Sequence, residues 1–356
     1  MTPALHDTSP GQRFRVEQWA RCLEPARFEF TFVPFEDAAL HEIIYRRGSY
    51  AKKASLMLRA FVRRLAVLPM ARRFDVVFLH REAALAGPAL IEPLLARQGV
   101  PIVFDFDDAI WVPYVSPANR FLSYFKCFGK AAAICRLSAQ VIVGNSYLAE
   151  YAHDYNRHVT IIPTTIDTQA YAEPIRTGSD TGGPVTIGWT GSYSTLQHLD
   201  TLRPCLQALA RRCPFRLDVI GTSSYQLDGV QTRAQRWRAQ SEVSDLQRFD
   251  IGIMPLPDDD WSRGKCGLKL LQCMALGIPV VGSPVGVSAE IVRDGVNGFL
   301  AATEGEWLAR LSSLINDPDL RRRIGAAGRR TVEERYAAAI WAPRFGAILR
   351  SAAAAA

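Results

Sequence analysis

Ten short apolar runs punctuate this chain, and helical stretches separate them. In the first half they are FEFTFVPF (28–35), FDVVFL (74–79), PIVFD (101–105), QVIVG (140–144) and VTIIP (159–163). In the second half they are VTIGW (185–189), FRLDVIG (215–221), DIGIMPL (250–256), IPVVGS (278–283) and GFLAA (298–302). Most are apolar throughout rather than alternating. Such runs belong to strands buried on both faces, with the intervening helices as cover. The expected fold class is therefore α/β, built from doubly wound parallel sheets. At 356 residues the chain has room for two cores. The Gly-, Pro- and Ser-bearing stretch EPIRTGSDTGGP (173–184) reads as the linker between them. This divides the chain into domains over 1–174 and 184–335, with a closing helix over 336–356 returning to the first. In such folds ligands bind at the carboxyl ends of the strands. Only five residues, MTPAL, precede HDTSPGQRFRVEQWA, which reads as a first loop and helix. The first domain is thus expected to lack its opening central strand, leaving 28–34 as the first strand in the chain.

Several function classes drop out on composition. The most apolar stretch, ALGIPVVGSPVGV, is short and broken by Gly and Pro, so no membrane span is expected. The start MTPALHDTSPGQ has neither the basic opening nor the apolar core of a signal peptide. The seven cysteines form no CxxC pair and the six histidines no HExxH spacing. Neither a zinc site nor a disulfide framework is expected, and a cytoplasmic setting fits. The net charge of +7 is concentrated in residues 46–73, which carry nine Lys and Arg and no acid. There Leu58, Phe61, Leu65 and Leu68 recur at helical spacing, with Lys52, Arg59 and Arg63 on a different face. This basic amphipathic helix either packs on its own domain or meets the anionic headgroups of a membrane surface. Nucleic acid is not expected as a partner, because no recognition motif accompanies the charge.

The stretch VPIVFDFDDAIW places Asp105, Asp107 and Asp108 after an apolar run. On a strand, Asp105 and Asp107 would point to the same side. Such carboxylates could hold a divalent metal, supply a nucleophile, or form the polar lip of a site. IVFDFDD resembles the first motif of HAD-type phosphatases, in which Asp105 would be nucleophile and Asp107 general acid. Asp108 and Ala109, however, replace that motif's Gly and Thr. A metal-binding DxD of the GT-A type belongs with one sheet, not two.

In the second half, VTIGWTGSYSTLQHLDTL reads as strand, tight loop and helix. Thr190, Gly191 and Ser192 stand at the turn, and Ser192 or Ser194 is placed to cap the helix. Further on, WSRGKCGLKLLQCMALGIPVVGSPVG places Lys265 and Lys269 four apart at an expected helix start. Cations there are unfavourable for the helix itself, so the pair suggests a bound anion. Gly264 and Gly267 permit close backbone approach.

In their order, these motifs resemble the GT-B glycosyltransferases, family 4 in particular. The resemblance is carried by HDTSPGQRFR, FLHRE, IVFDFDD, VIVGNSYLAEYA, IIPTTID, GWTGS, MALGIPVVGSPVG, DGVNGFL and the closing DPDLRRRIGAAGRRTVEERYAAAIW. It implies two Rossmann-like domains facing a cleft. It implies a sugar transferred with retention from a nucleotide-activated donor held in the second domain to an acceptor held in the first; the expected acceptor is an envelope or polysaccharide one, carbohydrate or lipid-linked. No cofactor and no metal are implied, the nucleotide sugar being a substrate. The expected location is cytoplasmic, at the inner face of the plasma membrane. The donor would be held by Thr190, Gly191, Ser192, Lys265, Gly267, Lys269 and Gln272. Asp107 takes the place of a histidine that many relatives carry near the reacting sugar, and His80, closing FDVVFLH, is a second catalytic candidate. Two departures stand out. The family's two glutamates are replaced by Gly264 and Gln272, and its usual Arg and Lys are absent from GWTGSYSTLQH. A GT-B-fold binding protein that has lost catalysis is therefore the alternative, and the HAD-type phosphatase a further one.

Overall fold

The computed structural model describes residues 1–23, 28–44, 46, 48–113, 127–171, 183–192 and 195–355. Most of the expected linker, and Ser194, lie outside the described residues. The chain forms two compact units. The first comprises Met1–Thr164, Gly264–Cys266 and Ala338–Ala356, and the second Thr165–Arg263 and Gly267–Ala337.

The first unit carries a parallel sheet of four strands, β1 (Val77–His80), β2 (Ile102–Phe106), β3 (Gln140–Val143) and β4 (Val159–Ile161), in that order. Its strands are apolar because both faces are covered. Phe104, Phe106, Val141 and Val143 enter one core with Leu79 and Leu148. Val103 and Ile142 enter the other with Trp19, Leu23, Phe345 and Leu349. That second core draws on the helix Ala338–Ala354. Its Phe345 is fully buried against Trp19 and Phe78, with ring centroids 4.9 and 5.2 Å away. The register sets His80 beside Asp105.

Two expectations for this unit need correction. FEFTFVPF is not a ladder strand, for its pairing is a single parallel bridge between Thr2 and Pro34. Its alternating Phe pattern satisfies strand propensity, but Pro34 has no N–H to donate, and within Met1–Pro3 only Thr2 bonds to the segment, donating to Val33 O (3.2 Å) and accepting from Phe35 N–H (2.8 Å). Met1–Pro3 run between Val33–Phe35 and β1, where the Met1 ammonium donates to Phe78 O (2.6 Å) and His80 N–H to Met1 O (3.1 Å). A short extended stub therefore lies at the central position expected to be empty, too short to count as a strand. The basic helix spans Tyr50–Ala66, but its apolar face divides. Leu68 is buried and Phe61 packs edge-on to Phe35, whereas Leu58 and Leu65 point to solvent together with Val62.

The second unit has six parallel strands, β5 (Val185–Thr190), β6 (Phe215–Ile220), β7 (Gln231–Gln235), β8 (Ile251–Met254), β9 (Val280–Gly282) and β10 (Phe299–Leu300). Their order is β10-β9-β8-β5-β6-β7. Counted from β5 this is the Rossmann order 3-2-1-4-5-6, whose direction reverses between β5 and β8. The core between the sheet and its helices contains Ile187, Trp189, Leu217, Val219, Ile251 and Ile253. Gly188 lets Phe249 lie flat on β5, since a Cβ there would stand 1.9 Å from the ring.

Candidate functional site

Each unit gathers a polar group at the carboxyl end of its sheet. In the first unit the group forms where β1 and β2 end. Asp105 is the last polar residue within β2, and its side chain is fully buried. It accepts from His80 Nδ1 (2.7 Å) and is ion-paired with Arg15. Arg15 lies in the π-helical turn Arg13–Glu17, is itself fully buried, and also donates to Ile162 O. Its guanidinium rests over the Trp19 ring, 4.8 Å from the centroid. Burial opposes the charged form of Arg15, but Asp105 outweighs it and strengthens the guanidinium's hold on its proton.

Beyond β2 the chain bends, so Asp107 does not share the strand with Asp105 as the spacing suggested. Asp107 is gripped by Arg81, with Nε at 2.8 Å and Nη2 at 2.7 Å from Oδ1. Arg81 follows β1 in a left-handed conformation (φ 59°), unusual for a residue with a side chain. It also stands 3.6 Å from Asp108. Asp108 in turn accepts from Lys265 Nζ at 2.9 and 3.0 Å. Burial works to raise the Asp107 pKa, but Arg81, His80 and Arg15 together hold it well below the usual carboxylate range. The segment Gly264–Cys266 is seated within this unit. Cys266 Sγ donates to Asp107 O (3.2 Å), and Asn145 Nδ2, from the cap of helix Ser146–His153, donates to Lys265 O (3.0 Å). Close approach is secured by Gly144 and Gly264, where a Cβ would stand 2.1 Å from Cys266 Sγ and 2.6 Å from Ala109 Cβ. Among the described residues no group of three His, Cys, Asp or Glu side chains is arranged to hold a metal ion.

These contacts decide several sequence expectations. Asp105 is sealed beneath the surface on Arg15 and His80, so the phosphatase reading, which needs it as nucleophile, fails. Asp105 is structural, through its ion pair with Arg15 and its bond with His80. His80 is 1% exposed and bonded to Asp105, which makes it a support for Asp105 rather than a group open to substrate. Asp107 keeps its place as the carboxylate at the end of the sheet.

In the second unit, the turn after β5 begins with Thr190, which is buried. Gly191 N–H donates to Ile220 O (2.9 Å), and a Cβ on Gly191 would stand 2.4 Å from the Trp189 ring and 2.7 Å from Thr195 Oγ1. Gly221 (φ 132°) closes the same corner, where a Cβ would overlap Gly191 O at 1.7 Å. Ser192 N–H donates to Thr195 Oγ1 (3.1 Å). The following helix is short, Leu196–Asp200, and the residue in its cap position is Thr195 rather than a serine. Lys269 comes to this turn from another helix. Its Nζ lies 3.4 Å from Thr195 Oγ1 and 5.0 Å above the centre of the Trp189 ring.

Lys265 and Lys269 do not share a helix face. The helix is Leu268–Ala275, capped by Gly267 in a left-handed conformation (φ 70°), so Lys265 precedes it. Gly267 is required by neighbours inside the unit, since a Cβ would meet Ile291 Cδ1 at 2.3 Å. Gln272 is buried, and its Nε2 donates to the Tyr171 hydroxyl (2.9 Å). Tyr171 passes the chain to Glu242 (3.3 Å), which also accepts from Trp237 Nε1 (2.8 Å). A pocket of about 400 Å³ opens at the carboxyl ends of β8, β9 and β10, among Leu256, Asp258, Ser283, Glu304 and Trp307. None of the residues expected to bind donor lines it. Arg15, Arg81 and Asn145 were not singled out from the sequence. Their signal lay in the quoted motifs QRFR, LHRE and VGNSY.

Residues 184–317 match the family of Glycosyl transferases group 1. D-inositol 3-phosphate glycosyltransferases are among the relatives. One from Frankia alni is 27% identical over 292 residues, covering 74% of this chain and 66% of that protein. Another, from Segniliparus rotundus, is 25% identical over 217 residues, covering 54% and 47%. The chain thus spans less than two thirds of the length of these relatives. Among solved structures, sucrose-phosphate synthase from Thermosynechococcus elongatus superposes with a TM-score of 0.69 at 14% identity, covering 100% of this chain and 99% of that one. Anabaena HepE in complex with UDP and glucose superposes with a TM-score of 0.68 at 16% identity, covering 98% of each. The fold is that of the GT-B glycosyltransferases.

Proposed function

We propose that this chain, whose residues 184–317 match the group 1 glycosyltransferases, transfers a sugar from a nucleotide-activated donor to an envelope or polysaccharide acceptor. The observation that carries this reading is the placement of Lys269. Its ammonium lies in the first turn of helix Leu268–Ala275, where the helix dipole disfavours a cation, yet it is held over Trp189 at the turn after the central strand β5. In Rossmann sheets that turn faces the diphosphate of a nucleotide. A cation kept there suits an anionic ligand, and its charge would stabilise the departing nucleoside diphosphate.

The finer assignments rest on separate features. Donor contacts are assigned to Lys269 and the turn Thr190–Gly191–Ser192. Gln272 is a neutral substitute for the family's ribose-binding glutamate, fixed by Tyr171. Asp107 is assigned the charge that stabilises the sugar as positive charge develops at its anomeric carbon, with retention of configuration. Transfer is metal-independent on this reading, because each aspartate of DFDD already has a resident cation. UDP is the first nucleotide to try, since HepE was solved with UDP and glucose. The protein works in the cytoplasm, at the inner membrane face.

The test is a thermal-shift screen of UDP, GDP, ADP and their sugar conjugates, followed by product analysis. A ligand at a hundred times its Kd stabilises by about 2.7 kcal/mol. One nucleoside diphosphate should raise the Tm clearly above the others, and its sugar conjugate should be turned over with acceptor. No shift with any of them at millimolar concentration would sink the proposal. Tight binding without turnover would leave a binding protein.

A further inference from the structure

The structure exposes a ridge that sugar transfer does not use. Five of the nine exposed large hydrophobic side chains among the described residues fall between Tyr50 and Met70. Leu58 (65% exposed), Val62 (59%) and Leu65 (44%) stand at i, i+4 and i+7 of the helix Tyr50–Ala66, and so form one line along it. Ala51 and Ala54 extend that line by two turns toward the helix start, and both are exposed. Met70 (41%) continues the apolar surface from the 3-10 turn Leu68–Arg73. A helix that only packed on its own domain would turn these residues inward. The helix already packs on its own domain through Ala60, Leu56, Met57 and Phe61, with two buried cations, Lys53 and Arg64, beside them, and the exposed line is additional to that face. The two buried cations satisfy backbone carbonyls, Lys53 at Arg46 O and Arg64 at Val33 O and Thr2 O.

The remaining cations flank the ridge. Lys52, Arg59 and Arg63 lie along one side of the helix, roughly 100° to 140° from Leu58 at 100° per residue. Arg59 and Arg63 share one counter-ion, Asp37, at 2.6 and 2.8 Å, and the Arg59 side chain remains 59% exposed. Arg72 and Arg73 are exposed just beyond the helix. No acidic residue occurs between positions 46 and 73. No helix among the described residues is long and apolar enough to cross a membrane. An exposed apolar line with cations beside it is the pattern of a helix lying in the plane of a bilayer interface.

We infer that the helix Tyr50–Ala66 docks this protein on an anionic lipid surface, with Leu58, Val62 and Leu65 entering the acyl boundary. Lys52, Arg59, Arg63, Arg72 and Arg73 meet the headgroup phosphates. This goes beyond sugar transfer and does not depend on it. The choice of occupant follows from charge. A neutral bilayer would use the ridge but not the cations, and a second copy would bring Lys52, Arg59, Arg63, Arg72 and Arg73 against the same five cations.

The experiment uses the full chain and sedimentation with vesicles of phosphatidylglycerol or of phosphatidylcholine. Binding is expected to phosphatidylglycerol at low salt, with release near 1 M salt, where charges are screened beyond about 3 Å. Lys52→Gln and Arg72→Gln should each weaken binding about fivefold. The double variant Leu58→Glu, Val62→Glu should weaken it at least about tenfold, with an unchanged Tm because both side chains are already in water. Failure of the wild type to bind phosphatidylglycerol would overturn the inference, as would equal binding to phosphatidylcholine or unaltered binding by the double variant. Dimerisation without vesicles that Leu58→Glu abolishes would give the ridge to a second copy. Loss of UDP binding with vesicle binding intact would count only against the transferase reading.

Discussion

Replacing Lys269 by methionine separates a ligand-binding cation from a structural one. In the unliganded protein the ammonium gains a cation–π contact with Trp189, worth about 0.5–2 kcal/mol. It loses roughly 0.3–1 kcal/mol through its position at the positive end of helix Leu268–Ala275. These terms nearly cancel, and methionine keeps the aliphatic stem packed on the indole, so the Tm should move by no more than a few degrees. The effect on nucleotide binding is different in kind. A charge-assisted hydrogen bond to a diphosphate contributes about 1.5–3 kcal/mol. Its loss should raise the Kd for UDP by about 10- to 150-fold, measured by calorimetric titration. Lys265→Met is the matched control. Its ammonium is bonded to Asp108 at 2.9 and 3.0 Å, so the variant should lose stability while keeping UDP affinity within about threefold. An unchanged UDP Kd in the Lys269 variant would refute the reasoning. So would a large fall in its Tm, which would make Lys269 a structural residue.

Three further outcomes are expected. Asp107→Asn should retain one bond to Arg81, keep UDP affinity and lower turnover, with or without chelator; wild-type turnover would remove Asp107 from the reaction, and sensitivity to chelator would restore a metal. Gly221→Ala should reduce stability by about 3–4 kcal/mol in urea denaturation, combining left-handed strain with overlap on Gly191 O at 1.7 Å; an unshifted midpoint would mean that the β5 turn yields freely. Asp37 bears on pH. Partial burial opposes its charged form, but the Leu40 N–H, Arg59 and Arg63 outweigh it and lower its pKa from 3.8 to about 2. A depressed pKa stabilises the fold above pH 3.8 and ceases to as pH falls through 2. Asp37→Asn should therefore cost about 1 kcal/mol at pH 7, after allowance for solvent screening, and almost nothing at pH 2; a cost independent of pH would show that the ion pairs contribute nothing.

Which parts of this fold were legible in the sequence follows from how far each signal reaches along the chain. Strands such as Ile102–Phe106 and Val185–Thr190 are apolar at every step because two layers of helix cover them, and a local window records that. The edge strand Gln231–Gln235 was not foreseen. It is paired on one side only, and its polar residues give no apolar run. FEFTFVPF has the pattern of a strand because alternation is a local property, whereas a ladder needs a partner of matching length. The start of the helix after Gly267 turned on one torsion. With φ at 70° that glycine ends the preceding segment and begins the helix at Leu268, which separates Lys265 from Lys269. Arg15 and Asp105 are 90 residues apart, and the seating of Gly264–Cys266 on Asn145 spans more than a hundred. No periodicity reports such pairings.

The three aspartates of DFDD illustrate what the missing partners decide. Read alone, they form a dense negative cluster with room for a divalent ion. In the folded first unit Arg15 and His80 hold Asp105, Arg81 grips Asp107 and faces Asp108, and Lys265 pairs with Asp108. Three cationic side chains answer three carboxylates. A divalent ion about 4 Å from Arg81 would meet roughly 8 kcal/mol of repulsion at an effective dielectric constant of about 20, which cancels its attraction to one carboxylate at the same distance. Against the effect of burial, which they outweigh, Arg81, His80 and Arg15 lower the pKa of Asp107, so it stays ionised at any working pH. Asp107 is therefore available as a fixed negative charge, oriented by the Arg81 fork, whereas Asp105 is committed to holding the turn of helix that carries Arg15. A group that must stabilise positive charge without accepting a proton needs that combination of depressed pKa and rigid placement. The left-handed backbone at Arg81 serves the same end. It turns the guanidinium back from the end of β1 onto Asp107, and the charge-assisted bond from Nε, with Nη2 also close to the same oxygen, offsets strain of about 1–2 kcal/mol.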